Sequence, residues 1–375
     1  MPGADRAALS EILGFFLRLG LTAFGGPAAH IGLMQQEAVE RRGWVSRERF
    51  LDLVGACNLL PGPSSTQVAM ALGYNRGGWP GLLIAGACFI LPASLSTLAL
   101  AWAYVRFGSL PQAQGLLYGA KPVMVAIILQ AIWKLGRMAF RGWGLALAGL
   151  ASFAAVLAGL PAIVVLLGMG GLTLAAAWRR SRPSSTLALA AVPFGLGGAS
   201  AGAVSLASIS IVFLKFGVVV FGSGYVLVAF LKDDLVDRLH WVTESQLLDA
   251  ITAGQLTPGP VFATATFLGY LLRGWAGAGI ATAAIFLPSF LMAGAVGVLA
   301  GRLRKSPLAA AFLDGVNAAA VALMAAVAIT LGLGALIDPV AWALGLASAV
   351  LLVRYRVNAT WIILAGAGLG ILLHH

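Results

Sequence analysis

Two cations sit inside apolar runs of this chain, at the same place in a repeated pattern. Arg18 lies in Phe16-Leu17-Arg18-Leu19-Gly20, and Lys215 lies in Phe213-Leu214-Lys215-Phe216-Gly217. A charge at the centre of an apolar layer costs about 2.5–3.5 kcal/mol on insertion scales, so a cation in both copies points to an anion site. Small residues follow one to two helical turns on: Thr22, Gly25 and Gly26 after Arg18, Gly222 and Ser223 after Lys215. They leave room for a ligand or another backbone. The bland alternative is that both side chains snorkel to an interface.

A second feature recurs with the same spacing. Pro61-Gly62-Pro63 returns as Pro258-Gly259-Pro260. Each triplet must break a helix, since proline lacks an N–H and clashes with the preceding turn. A helix restarting after the break presents unpaired N–H groups and about half a positive charge, which favours anions. Hydroxyls follow each break: Ser64, Ser65 and Thr66 in one copy, Thr264 and Thr266 in the other. Asn58 and Gln255 are equivalent amides just before the breaks. A plain kink, with hydroxyls satisfying freed backbone groups, is the competing reading.

Titratable groups in apolar context are few. Asp52 and Asp249 are equivalent, Asp314 and Asn317 lie one turn apart, and Lys121 is equivalent to Asn317. Asp52, Asp249, Asp314 and His30 are therefore candidates for coupling to protons, and Asp314 is a candidate partner of Lys121. Cys57 and Cys88 read as small buried hydrophobes. The spacing resembles no metal site, nucleotide loop or nucleophile elbow, so neither a metal nor a cofactor is expected, and the chain does not read as an enzyme.

These residues need elements to hold them. Hydrophobic residues make up 60% of the chain and charged ones 10%, with a mean hydropathy of +0.94. Soluble domains carry about 25% charged residues, so most of this surface faces lipid. The net charge of +11 sits mainly in short loops, where it orients spans, and no nucleic acid is implied. Matches over nearly the whole chain, about 196–197 residues apart, define two units: residues 1–178 and 203–375, joined by a linker at 179–202.

The expected fold is all-α and polytopic: two inverted homologous repeats of about five transmembrane helices each, with a Pro-Gly-Pro broken or re-entrant helix in each half. Full crossings are expected near 11–33, 80–105, 112–136, 143–160 and 161–178, and near 205–231, 277–301, 309–335, 339–353 and 357–373. Segments 47–75 and 244–272 dip in without crossing. With the uncharged 159–162 connection outside, most cations fall on the cytoplasmic side, and both termini are expected outside. The first apolar run reads as a retained span rather than a cleaved signal.

Phe24-Gly25-Gly26-Pro27, Trp44-Val45, Asn58-Leu59-Leu60-Pro61-Gly62-Pro63 and Gly73-Tyr74 carry a family resemblance. The second-half counterparts are Phe221-Gly222-Ser223-Gly224, Trp241-Val242, Gln255-Leu256-Thr257-Pro258-Gly259-Pro260 and Gly269-Tyr270. Together they resemble the chromate transporter family in its long, two-domain form. The resemblance implies a multi-pass protein of a prokaryotic plasma membrane that exports chromate, confers resistance to it and depends on proton-motive force. Sulfate is the related oxyanion. The second half departs where Phe221-Gly222-Ser223 stands opposite Phe24-Gly25-Gly26-Pro27, so the first half carries more weight. A carrier or channel for sulfate or another anion is the alternative, followed by a membrane-embedded chromate reductase. The apolar surface is compatible with a lipid-bound homodimer.

Overall fold

A computed structural model describes residues 6–24, 26–180, 204–221, 224–303 and 307–373. The linker assigned to 179–202 lies almost wholly outside them, as do Gly25, Gly222 and Ser223. Among the described residues all regular structure is helical.

The first half opens with α1 (Arg6–Thr22), which stops at the Gly-Gly-Pro sequence. Helix α2 (Gly26–Met34) restarts there and runs on as a π-helical stretch to Arg41. Trp44, just beyond, stacks edge-on against Phe15 at 5.6 Å, so the chain has doubled back along α1. Helix α3 (Arg47–Asn58) turns inward again, its start fixed by Ser46 accepting from the Arg49 N–H at 3.2 Å. Pro61-Gly62-Pro63 ends it, with Gly62 at φ +105°, a conformation other residues rarely adopt.

Helix α4 (Ser64–Phe107) is a hairpin of two arms, reversing at Gly77 and Gly78, the latter at φ +61°. Gly73 packs directly on the carbonyl of Gly81, though eight residues of straight helix would separate them by about 12 Å. Only glycines permit that approach. The first arm returns to the start of α1, where Arg76 pairs with Glu11 at 3.0 Å. The second arm is long enough to cross a bilayer. Helices α5 (Pro111–Ala139), α6 (Trp143–Leu157) and α7 (Ala162–Arg180) follow.

The second half repeats this. Helix α8 (Leu206–Val219) ends at a break, α9 (Val226–Leu231) restarts and becomes π-helical to Arg238, and α10 (Glu244–Leu256) starts from a capping box of Thr243 and Gln246. A short 3₁₀ turn leads into α11 (Thr264–Leu303), a second hairpin reversing at Arg273 and Gly274. Helices α12 (Pro307–Ala335), α13 (Pro339–Val353) and α14 (Ala359–Leu373) close the described chain.

The long arms of α4 and α11 lie side by side and antiparallel. Trp79 packs on Gly294 and Gly86 on Phe290, while Tyr104, near the end of the α4 arm, packs on Phe267 of the short arm of α11. The later helices are exchanged: α5 packs along α13 and α14, and α12 along α6 and α7. Gly119 meets the backbone of Gly366, Tyr118 donates to Asp338 at 2.8 Å, and Gln130 donates to the Leu352 carbonyl at 2.8 Å. The larger core cluster thus draws on both sequence units, while a second one, around α1, α3 and α4, comes almost wholly from the first.

Two expectations fail here. Segments 11–33 and 205–231 do not cross; each doubles back at a glycine-rich break that hydropathy alone cannot distinguish from an apolar span. The described chain therefore begins at one face, where Arg76 pairs with Glu11 of α1, and ends at the other, where Gly370 of α14 meets Gly115 at the start of α5, so the two ends do not share a side.

Candidate anion site

Four chain breaks meet near the middle of the molecule, and they are fastened across the halves. The Gly62 N–H donates to the Val220 carbonyl at 2.6 Å, beside an isolated antiparallel bridge between Pro61 and Phe221. In the counterpart, the Gly259 N–H donates to the Ala23 carbonyl at 2.9 Å. Each Pro-Gly-Pro break is thus stapled to the Phe-Gly break of the other half. The staples use carbonyls from the ends of α1 and α8, which would otherwise face an approaching anion. The helix N-termini at the breaks keep their positive ends.

His30 reinforces the Gly259–Ala23 staple and ties it to the first Pro-Gly-Pro break through Ser65. It is buried, with Nε2 3.2 Å from the Ala23 carbonyl and Nδ1 3.3 Å from the Ser65 hydroxyl. A carbonyl can only accept, so Nε2 carries the hydrogen and neutral His30 accepts from Ser65 at Nδ1. Gly26, Gly62 and Pro63 are buried at this centre, as are Ser64, Ser65 and Thr66, and Pro61 is half-buried.

The second-half residues are similarly placed, with Gly259 and Pro260 buried and Pro258 half-buried. Thr264 turns its hydroxyl back to the Val261 carbonyl at 2.8 Å, and Thr266 bonds Thr282 at 2.7 Å. The half-buried Gln255 has an enclosed Nε2 with no partner.

The two cations differ. Arg18 is exposed on the outer face of α1, one turn before the break, and Thr22 donates to its carbonyl at 2.7 Å. Among the described residues it makes no ion pair. Lys215 forms an ion pair with Asp234, which also holds Arg238 at 2.8 Å. The carboxylate equivalent to Asp234 is Glu37, occupied by Arg42 at 2.8 Å and Arg41 at 3.3 Å. At that surface end of the arm, the Arg42 hydrogen bond, aided by both guanidinium charges, holds the Glu37 carboxyl below its usual range. Asn58 is exposed near the end of α3, away from the buried cluster.

Two residues enter that sequence reading did not single out. Where a side chain at Gly62 would begin, the Gln67 Nε2 lies at 2.8 Å and the Ser289 Oγ at 2.9 Å. Both residues are 0% exposed, and neither Gln67 Oε1 nor Ser289 Oγ has a partner. Gln67 Nε2 donates to the Pro61 carbonyl at 2.5 Å. The matching position at Gly259 meets Ala93 Cβ at 2.9 Å and the backbone carbonyls of Phe89 and Gly20 at 3.3 and 3.8 Å. The first break therefore meets polar side chains, and the second a methyl and carbonyls that can only accept. A polar residue inside a strongly apolar arm was the available signal for Gln67.

Of the coupling candidates, Asp249 is buried, receives the Tyr104 hydroxyl at 3.0 Å and pairs with Lys121 at 3.5 Å. Asp314 is exposed, so the expected Lys121–Asp314 pairing is replaced by Lys121–Asp249. The reason is the exchange of helices: α5 lies beside α10 of the other half. Asp52 is half-buried on α3.

Inverted broken helices meeting at a polar centre define a membrane carrier. The chain belongs to the chromate transporter family, whose profile matches residues 10–175 and 207–371 separately. It is 34% identical to the chromate transport protein of Cupriavidus metallidurans, over 99% of this chain and 96% of that one. A probable chromate transport protein of Synechococcus elongatus is 31% identical over 90% of this chain and 88% of its own length. The Pseudomonas aeruginosa chromate transport protein is 32% identical over 86% and 80%. No solved structure matches. Membership makes this a membrane protein that transports chromate.

Proposed function

We propose that the chain exports chromate from a prokaryotic cell across the plasma membrane and so confers resistance, with the oxyanion held at the first-half break. The carrying observation is the crosswise staple, which occupies the local carbonyls and leaves helix N-termini and hydroxyls facing the centre. Thr66, whose buried hydroxyl has no partner, supplies a donor there, with Ser64 and Ser65 beside it and Gly26, Pro61, Gly62 and Pro63 shaping the approach; Gly25 lies outside the described residues. Arg18, exposed on α1 one turn before the break and without an ion pair among the described residues, adds its charge at the edge of the site rather than within it. Gln255, Pro258, Gly259, Pro260 and Thr264 form the inverted counterpart, with Lys215 already spent on Asp234; Gly222 and Ser223 lie outside the described residues.

Cation placement supports the direction. One face carries Arg41, Arg42, Arg47, Arg49, Arg76, Arg137, Arg141, Arg354 and Arg356, whereas the other carries Arg106, Lys232, Arg238 and Arg273. The first is the cytoplasmic face. The re-entrant arms of the first half then open to the cytoplasm and those of the second half to the outside, and the exchange between them is alternating access. Moving a dianion out through 100 mV releases about 4.6 kcal/mol, enough to drive export by potential alone.

The test is labelled chromate uptake into inverted membrane vesicles with an inside-positive potential and no pH gradient. Saturable uptake, competed by sulfate, is expected. No uptake with either a potential or a pH gradient overturns the reading. Sulfate competes because neutral donors recognise any tetrahedral dianion of similar size.

A further inference from the structure

Between the central breaks and the second face stands a charged cluster that the site above does not use. Lys121 of α5 projects toward α10, where its Nζ lies 2.7 Å from Ser245 Oγ but 3.5 Å from Asp249 Oδ1. Charge-assisted bonds normally close to about 2.7–2.9 Å, so this lysine is committed to the serine and only loosely to the carboxylate. Asp249 is fixed from its other oxygen by Tyr104 at 3.0 Å. The lysine side chain is 21% exposed, whereas that of Asp249 is 2% exposed. Asp249 precedes the Gln255 amide by six residues, so the cluster sits about 9 Å along α10 from the break.

The inverted counterpart lacks the charge. Asp52 matches Asp249, but Asn317 stands where Lys121 would be. The cluster is therefore present toward one face only, the face with few cations. A loosely held cation in partial contact with solvent can receive a dianion leaving the centre. The adjacent fixed carboxylate then competes for the same ammonium and drives the anion off.

We propose that Lys121 is a second anion station on the exit side, and that Asp249 is its built-in competitor, regaining the lysine as the oxyanion leaves. This rests on the transport reading above, and deepens it with a direction-dependent release step. The carboxylate costs affinity at the exit and gains turnover.

The test uses the full chain in inverted vesicles, whose lumen corresponds to the second face. Sodium sulfate is preloaded in the lumen, and initial chromate uptake is measured against its concentration. Asp249→Asn should lower the luminal sulfate giving half-inhibition by about fivefold or more, the lower end of coupling between linked sites, and slow turnover. Lys121→Gln, which can keep the Ser245 contact without the charge, should raise it. The double variant should fall back toward the parent value. A merely structural ion pair moves both single variants the same way, so parallel shifts overturn the proposal, as does an unchanged half-inhibition in Lys121→Gln. If Asp249→Asn yields too little folded protein by size-exclusion chromatography, the Lys121→Gln result alone decides. Absence of saturable uptake in the parent would instead remove the transport reading, and the release step with it.

Discussion

At the scale of single residues, the two inward cations make separable predictions. Arg18→Gln should abolish saturable uptake while leaving membrane insertion intact, because Arg18 has no ion pair to lose. Unchanged uptake would remove it from the site. Lys215→Met should act on stability instead. It strips Asp234 of a buried partner, a loss of about 3–5 kcal/mol for such pairs, and Arg238 compensates only in part. A thermal shift in detergent reads this directly. Ser289 offers the opposite signature. Its buried hydroxyl has no partner, a penalty of about 1–3 kcal/mol. Ser289→Ala should therefore raise the melting temperature and also raise KM for chromate. Stabilisation with no change in KM would make Ser289 a mere packing defect.

At the scale of elements, the breaks are not interchangeable. A methyl at Gly62 would meet the ends of Gln67 and Ser289, which can swing aside. A methyl at Gly259 would meet Ala93 and the Phe89 backbone, which cannot. Both positions also have positive φ, so both alanine variants are strained, but Gly259→Ala should lose more folded protein than Gly62→Ala. Equal yields by size-exclusion chromatography would contradict this ordering. The Pro-Gly-Pro breaks were legible in the sequence because proline cannot continue a helix in any context. The Gly-Gly-Pro and Gly-Ser-Gly breaks were not, because glycine is common within membrane helices and only a reversal of backbone direction reveals its use. The Lys121–Asp249 contact was hidden for another reason. Internal repeats show which residues are equivalent, but not which half supplies a neighbour.

At the scale of the whole molecule, the repeat, its helical class and its cation bias were readable, since each is a sum over many residues. The side of the first terminus was not, because it turns on whether one segment crosses or doubles back. The topology now has a direct check. Arg76→Cys and Arg273→Cys place thiols at the two hairpin reversals, which lie at opposite faces. In intact cells a membrane-impermeant maleimide should label Arg273→Cys and spare Arg76→Cys until the membrane is opened. Labelling of both from one side would refute the inverted arrangement.

The crosswise staple also has a consequence in time. Ala23 and Gly62 leave the ribosome long before their partners: Gly259 follows Ala23 by 236 residues and Val220 follows Gly62 by 158. At about 5–20 residues per second, the wait is on the order of 10–40 s. Throughout it the first half holds a carbonyl and an N–H in lipid without their final partners. The nascent chain must therefore linger beside the insertion machinery as an unfinished half, and its maturation is a closing step set by synthesis of the second half.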